Sequence, residues 1–489
     1  MDSEPEAVRT ARDPTAEKIS VGTQLAYGFG SVAEGVKNTA FNSFLLFYYN
    51  AVLGLSGTLS GAAIFLALCV DAITDPIVGS LSDNLHSRWG RRHPFMYASA
   101  VPMGLAFWLL FNPPQGLGEL GLFAWFATFA VLVRTSMTLY SIPSNAMIAE
   151  LTPHYDERTS LVSWRFFFGW VGGIGIGQIG YRLYFDARPG LEDGRLDAAA
   201  YGGFALICAG AIVAAILICT AGTHHLIPRL NGPPAATTFT LRRVLAEMRE
   251  VFANRSYRML VIGTLFASVA GGFNDVVGLY MNTYFWGLSS DQIATLALFL
   301  VIALVAGVGL ARPISEAFEK RRTALVLTTS AIVWGPLPIF ARLLGLMPPN
   351  GHPWLLPILI VHTIILVTAV IVIGILLSSM VADVMDESEL ETGKRQEGMF
   401  SSAIAFTAKA TSGIGGFVAG VALDVIHFPK RAAPGTVGED ELFLLGLAVG
   451  PCMFVLYLLT LIFLRQYRIT RARHEEVIAE LARRRDASV

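Results

Sequence analysis

The stretch GTLSGAAIFLALCVDAITDPIVGSL, residues 57–81, decides the fold of this chain. It is long enough to cross a bilayer, which takes roughly 20 predominantly apolar residues. Asp71 and Asp75 are its only charges. A charge at bilayer depth is costly, so an acidic pair inside such a run needs a physical reason. The two residues lie four apart, which places both carboxylates on one face of a helix. Like charges in a low dielectric repel, and a bound sodium ion, a proton or a nearby guanidinium would relieve them.

Outward from this run the pattern repeats. Apolar stretches fall near 22–50, 57–81, 94–112, 120–149, 160–184 and 201–221, then near 257–286, 290–311, 322–346, 353–384, 396–425 and 441–464. The chain of 489 residues is 54% hydrophobic and 15% charged, well below the roughly 25% charged residues of a soluble domain. The expected fold is therefore an all-α integral membrane protein of about twelve spans. The expected organisation is an N-terminal tail at 1–21, a six-helix bundle at 22–221, a central loop at 222–256, a second six-helix bundle at 257–464 and a C-terminal tail at 465–489. Within the loop, TLRRVLAEMREVF at 240–252 spaces its apolar residues as an amphipathic helix or a solvated linker helix does. Glycine-rich runs such as VGGIGIGQIG at 171–180 allow helices to approach closely.

The distribution of charge orients the chain. With both termini and the central loop on the cytoplasmic side, 26 of the 36 Lys and Arg residues fall inside and six outside. That asymmetry predicts a multi-pass protein of the cell inner (plasma) membrane with both termini cytoplasmic. The start of the chain lacks the charged n-region and short apolar h-region of a cleaved signal peptide. A net charge of −1 carries no nucleic-acid footprint. Cys69, Cys208, Cys219 and Cys452 lie in apolar runs without CxxC spacing and read as small core residues. With no HExxH, GxSxG or metal-spaced cluster, an enzyme is not expected.

Other charges fall within spans: Glu34 and Lys37, Arg134, Arg165, Asp275 and Lys409, with His362 titratable and read as a satisfied buried histidine. Glu34 and Lys37 are spaced either to neutralise each other or to face a substrate. Arg134 either lines a cavity or pairs with Glu34, and the pairing is the expectation. Thr74 and Thr138 are candidate hydroxyl ligands beside Asp71 and Asp75; the competing reading is a structural ion-pair cluster with Arg165 or Lys409. Lys409 lies mid-span among small residues, which argues against snorkelling to an interface.

These residues carry a resemblance. YGFGSVAEG at 27–35, FYYNAVLGLS at 47–56, DAITDPIVGSLSD at 71–83, SRWGRRHPF at 87–95, IPSNAMIAELTPHYDERT at 142–159, WRFFFGW at 164–170 and MVADVMDESELETGKRQEGMF at 380–400 span nearly the whole chain. The sequence resembles the glycoside–pentoside–hexuronide:cation symporters, the melibiose-permease-like branch of the major facilitator superfamily. The resemblance implies two six-helix bundles that alternate access to a midplane site. It places the cation ligands at Asp71, Asp75 and Thr138, with Thr74 where the family has a side-chain amide. It places the substrate arginine at Arg165 and the lysine of the eleventh span at Lys409. The family's sugar-binding positions fall near Gly35, Ser141 and Asn145, so a galactoside is not implied, and Glu34, Ser141 and Asn145 join Arg165 and Lys409 as candidate substrate contacts.

The expected function is symport of a sugar- or glycoside-like solute with Na+ or H+, by a monomer in the lipid bilayer, with no cofactor besides the coupling ion. The alternative within the same superfamily is a sodium-dependent lysolipid transporter. Arg88, Arg91 and Arg92 against Asp383, Asp386, Glu387 and Glu389 are expected to form cytoplasmic gate pairs.

Overall fold

The computed structural model describes residues 19–152, 155–187, 193–229, 254–392, 409 and 413–487. The expected amphipathic helix at 240–252 lies outside the described residues. The described chain is helical: α1 (Val21–Phe29), α2 (Ser31–Thr39), α3 (Gly57–Asn84), α4 (His93–Leu110), α5 (Glu119–Leu151), α6 (Tyr155–Ile179), α7 (Ala198–His224), α8 (Arg255–Tyr280), α9 (Ser290–Ala317), α10 (Lys320–Trp334), α11 (Leu337–Leu343), α12 (Leu355–Thr392), α13 (Gly413–Val425), α14 (Glu439–Leu464) and α15 (Arg471–Ala487). Among the described residues, eight helical spans are long and apolar enough to cross a membrane. The run at 22–50 is instead divided into α1, α2 and two wider turns at Ala40–Leu45 and Tyr48–Val52.

Local chemistry explains where helices begin. Ser20 accepts from the Thr23 amide at the start of α1, and Asn254 does the same for Tyr257 at the start of α8. Ser289 and Gln292 exchange hydrogen bonds in a capping box that opens α9. Each device satisfies amides that have no partner within their own helix. Proline at 76 removes the amide that would close a turn directly after Asp75.

Two compact units result. The first comprises residues 1–41, 66–185 and 197–238, and the second 42–65, 186–196 and 239–489. In the first, α2 packs on α6, and α4 on α5 and α7. A Cβ on Gly35 would sit 2.0 Å from the Gly169 carbonyl oxygen, so only glycine permits that approach of α2 to α6. In the second, α9 and α10 pack on α12, α8 packs on α14, and α15 rests against α12. There Asp424 accepts from the Gly57 and Thr58 amides at 2.8 and 2.7 Å, capping α3 with a carboxylate where the helix dipole favours one. Large apolar side chains along α12, Ile358, Val361, Ile365 and Ile375 among them, are exposed, as a lipid-facing surface requires.

Candidate functional site

α3 and α5 meet through two matched rungs. Asp71 and Asp75 stand one turn apart on α3, and Arg134 and Thr138 stand one turn apart on α5. Arg134 Nη1 donates to Asp71 Oδ2 at 2.7 Å, with the two side chains only 3% and 7% exposed. Thr138 Oγ1 lies 2.9 Å from Asp75 Oδ1 and 3.5 Å from Asp71 Oδ1. A hydroxyl has one proton to give, and the shorter contact assigns it to Asp75. The Arg134 guanidinium also lies over the Phe41 ring at 5.8 Å, and the Lys37 ammonium stands 5.7 Å from the same ring.

This geometry revises the expected pairing. Arg134 pairs with Asp71, and Arg165 with Glu34. Four residues separate Arg134 from Thr138, so a helix that brings the hydroxyl to Asp75 necessarily brings the guanidinium to Asp71. Thr74 turns its hydroxyl to the Asp71 carbonyl of its own helix at 3.4 Å. Lys409 is half-buried in the second unit.

A second cluster gathers on α1, α2, α5 and α6. Arg165 Nη1 donates to the Tyr27 phenol at 3.0 Å and to Ser144 Oγ at 3.1 Å, and Nη2 donates to Glu34 Oε1 at 3.2 Å. Tyr27 in turn donates to the Ser144 carbonyl at 2.7 Å. Glu34 is thus held by Arg165, where the spacing in sequence left Lys37 or a substrate-facing role open. The Glu34 side chain is 31% exposed against 10% for Arg165, so the pair is open at its acidic end. Thr138, Ser141 and Asn145 follow Arg134 at spacings of four, three and four along α5, which sets them on one face. Ser141 is half-buried and Asn145 exposed. α5 therefore connects the acidic rungs to the arginine cluster.

Tyr27 and Ser144 were not singled out in the sequence. Tyr27 opens the quoted YGFGSVAEG segment seven residues before Glu34, a helical spacing that was the available signal for it. Ser144 had none, since it is one of several hydroxyls on α5.

Five of the expected gate residues, Arg91, Arg92, Asp383, Asp386 and Glu387, have partners within their own unit. Arg91 and Arg92 reach Glu150 Oε1 at 2.6 and 2.8 Å, and Arg92 reaches Asp83 at 2.6 Å, while Arg88 is exposed. In the second unit, Lys320 reaches Asp383 at 2.8 Å, and His474 Nε2 lies 3.1 Å from Asp386 and 3.6 Å from Asp383. Arg473 meets Glu387 at 3.5 Å. Lys320 and Arg473 offset carboxylates toward the C-terminal end of α12. Burial, followed by the charges of Asp383 and Glu387, pushes the neighbouring Tyr467 phenol well above its usual range. Within the remaining spans, Asn42 Nδ2 donates to Asp275 at 3.4 Å, and His362 Nε2 lies 2.8 Å from the Trp334 carbonyl, the satisfied arrangement expected for that histidine.

An all-helical chain with paired acids, an arginine cluster and apolar outer faces has the chemistry of a membrane carrier. Residues 26–471 match the MFS/sugar transport protein family. The chain belongs to that family, the glycoside–pentoside–hexuronide:cation symporters.

This family member is 26% identical to an uncharacterised symporter of Synechocystis sp., over 96% of this chain and 98% of the relative. It is also 26% identical to an isoprimeverose transporter of Lactiplantibacillus pentosus, over 82% of this chain and 79% of that one. The crystal structure of a D-xylose-proton symporter matches with a TM-score of 0.62 at 14% identity, over 90% of this chain and 96% of that one. The last likeness is one of fold, which is that of the major facilitator superfamily. The symporter is a multi-pass membrane transporter and not an enzyme.

Proposed function

We propose that the chain is a secondary active symporter that couples a sugar- or glycoside-like solute to Na+ or H+ by alternating access of two six-helix bundles. Asp71, Asp75 and Thr138 serve the coupling ion. Arg165, Glu34, Ser141, Asn145 and Lys409 serve the solute. The observation that carries this reading is the run of polar side chains on α5, which joins the carboxylate rungs at Thr138 to the Arg165 cluster at Ser144. Ion and solute contacts on one rigid helix supply the reciprocal linkage that symport needs. Arg165, with its planar fork of donors, suits two oxygens of a hydroxylated solute better than an ammonium would. The excess of Lys and Arg in alternate segments supports a cell-membrane location with both termini cytoplasmic. Arg88, Arg91, Arg92, Asp383 and Asp386 act at the ends of the helices as gate elements.

The test is uptake into cells or proteoliposomes of a panel of labelled glycosides, first across a pH gradient without sodium, then across a sodium gradient at constant pH. One gradient should drive accumulation in the wild type. Asp75→Asn should abolish that accumulation while leaving part of the downhill exchange. Lack of accumulation under both gradients would remove the symport assignment.

A further inference from the structure

Arg134 places a permanent positive charge where the first of the paired acids would otherwise meet a cation. Its Nη1 sits 2.7 Å from Asp71 Oδ2, and its side chain is 3% exposed. A guanidinium does not lose its proton at any physiological pH, so this charge is fixed. Lys37 adds a second cation facing the same Phe41 ring. A hard metal cation, by contrast, is held by several oxygens at once. Here Asp71 Oδ2 accepts from the guanidinium, the Thr138 hydroxyl lies 2.9 Å from Asp75 Oδ1, and the Thr74 hydroxyl lies 3.4 Å from the Asp71 carbonyl of its own helix.

We propose that Arg134 is the resident counter-ion of Asp71 and sets the ion specificity of the α3–α5 site by keeping sodium out of it. The inference rests on the reading of that site as the ion-coupling site. Two unit charges about 5 Å apart at an effective dielectric constant of about 20 repel enough to weaken sodium binding on the order of a hundredfold. Loss of that repulsion should convert the same oxygens into a sodium site. Arg134 acts through Asp71 and is a positioning residue in this scheme.

The experiment is a thermal melt of the purified full chain in sodium chloride and in choline chloride at equal ionic strength. It requires no solute, so its outcome is separate from that of the uptake assay. Wild type and Arg134→Lys should melt alike in both salts, because both keep the positive charge. Arg134→Gln should be stabilised by sodium over choline by about 3 °C, in a saturable manner. Folding of Arg134→Gln in sodium but not in choline would support the proposal equally. Asp71→Asn placed on Arg134→Gln should remove the sodium effect, which a merely structural role for Arg134 would not predict. Sodium-specific stabilisation of the wild type would overturn the proposal, as would a folded Arg134→Gln that ignores sodium. If Arg134→Gln folds in neither salt, the wild type decides: a sodium-specific shift overturns the proposal and identical melts uphold it. A wild type indifferent to sodium that also fails to accumulate solute under either gradient would defeat the symport reading and leave the role of Arg134 at Asp71 intact.

Discussion

Two acidic clusters in this protein pair a buried aspartate with cations of different exposure. Asp71 on α3 meets Arg134 on α5 with both side chains at or below 7% exposure. Asp383 on α12 meets Lys320 with the lysine 32% exposed, and His474 and Arg473 of α15 stand beside its neighbours Asp386 and Glu387. In the first cluster both partners are shielded from water, so removing one deprives a buried charge of a close counter-ion. In the second, water and neighbouring charges share the task. The contrast teaches that an ion pair is informative about mechanism where the surroundings forbid either ion from standing alone.

The sharpest way to break the comparison is to remove one partner from each cluster. Arg134→Ala in sodium-free buffer should destabilise the chain by about 3–5 kcal/mol, the cost of breaking a buried ion pair by removing one partner. Chemical denaturation in detergent, with yield in the membrane as a second readout, checks this. A loss below about 1 kcal/mol would mean that the Asp71 carboxylate is compensated without Arg134.

Arg165 lies between these extremes, since it is buried while its partner Glu34 is open to the outside of the pair. Arg165→Lys keeps the charge but loses the two-pronged geometry toward Tyr27, Ser144 and Glu34. Solute affinity should fall about tenfold, or about 1.4 kcal/mol, with expression unchanged. Concentration-dependent uptake measures it, and an unaltered half-saturation would reduce Arg165 to a structural tie between helices.

The smallest effect belongs to the second cluster. Lys320→Ala should cost less than about 1 kcal/mol, and the difference from wild type should shrink in high salt. A salt-insensitive loss as large as that of Arg134→Ala would show that α12 and α10 hold their ion pair in a dry environment after all.

The sequence alone was enough to determine that the chain is helical and crosses the membrane repeatedly, because run length and apolar content depend on composition and not on neighbours. It also singled out Asp71, Asp75, Thr138 and Arg165, because a charge or hydroxyl beside a charge is conspicuous at bilayer depth. The continuous run at 22–50 concealed its division into short helices, since apolar content is the same whether a turn is regular or widened. Only the tertiary structure decided the partners. Helical spacing names the face a side chain occupies but not the helix that packs against it. Arg134 had Asp71, Asp75 and Glu34 as carboxylates of equal chemical merit, and Glu34 had Lys37, Arg134 and Arg165 as cations. The choice came from packing: the close approach of α2 to α6 at Gly35 sets Glu34 beside Arg165, and the register of α3 against α5 sets Arg134 beside Asp71.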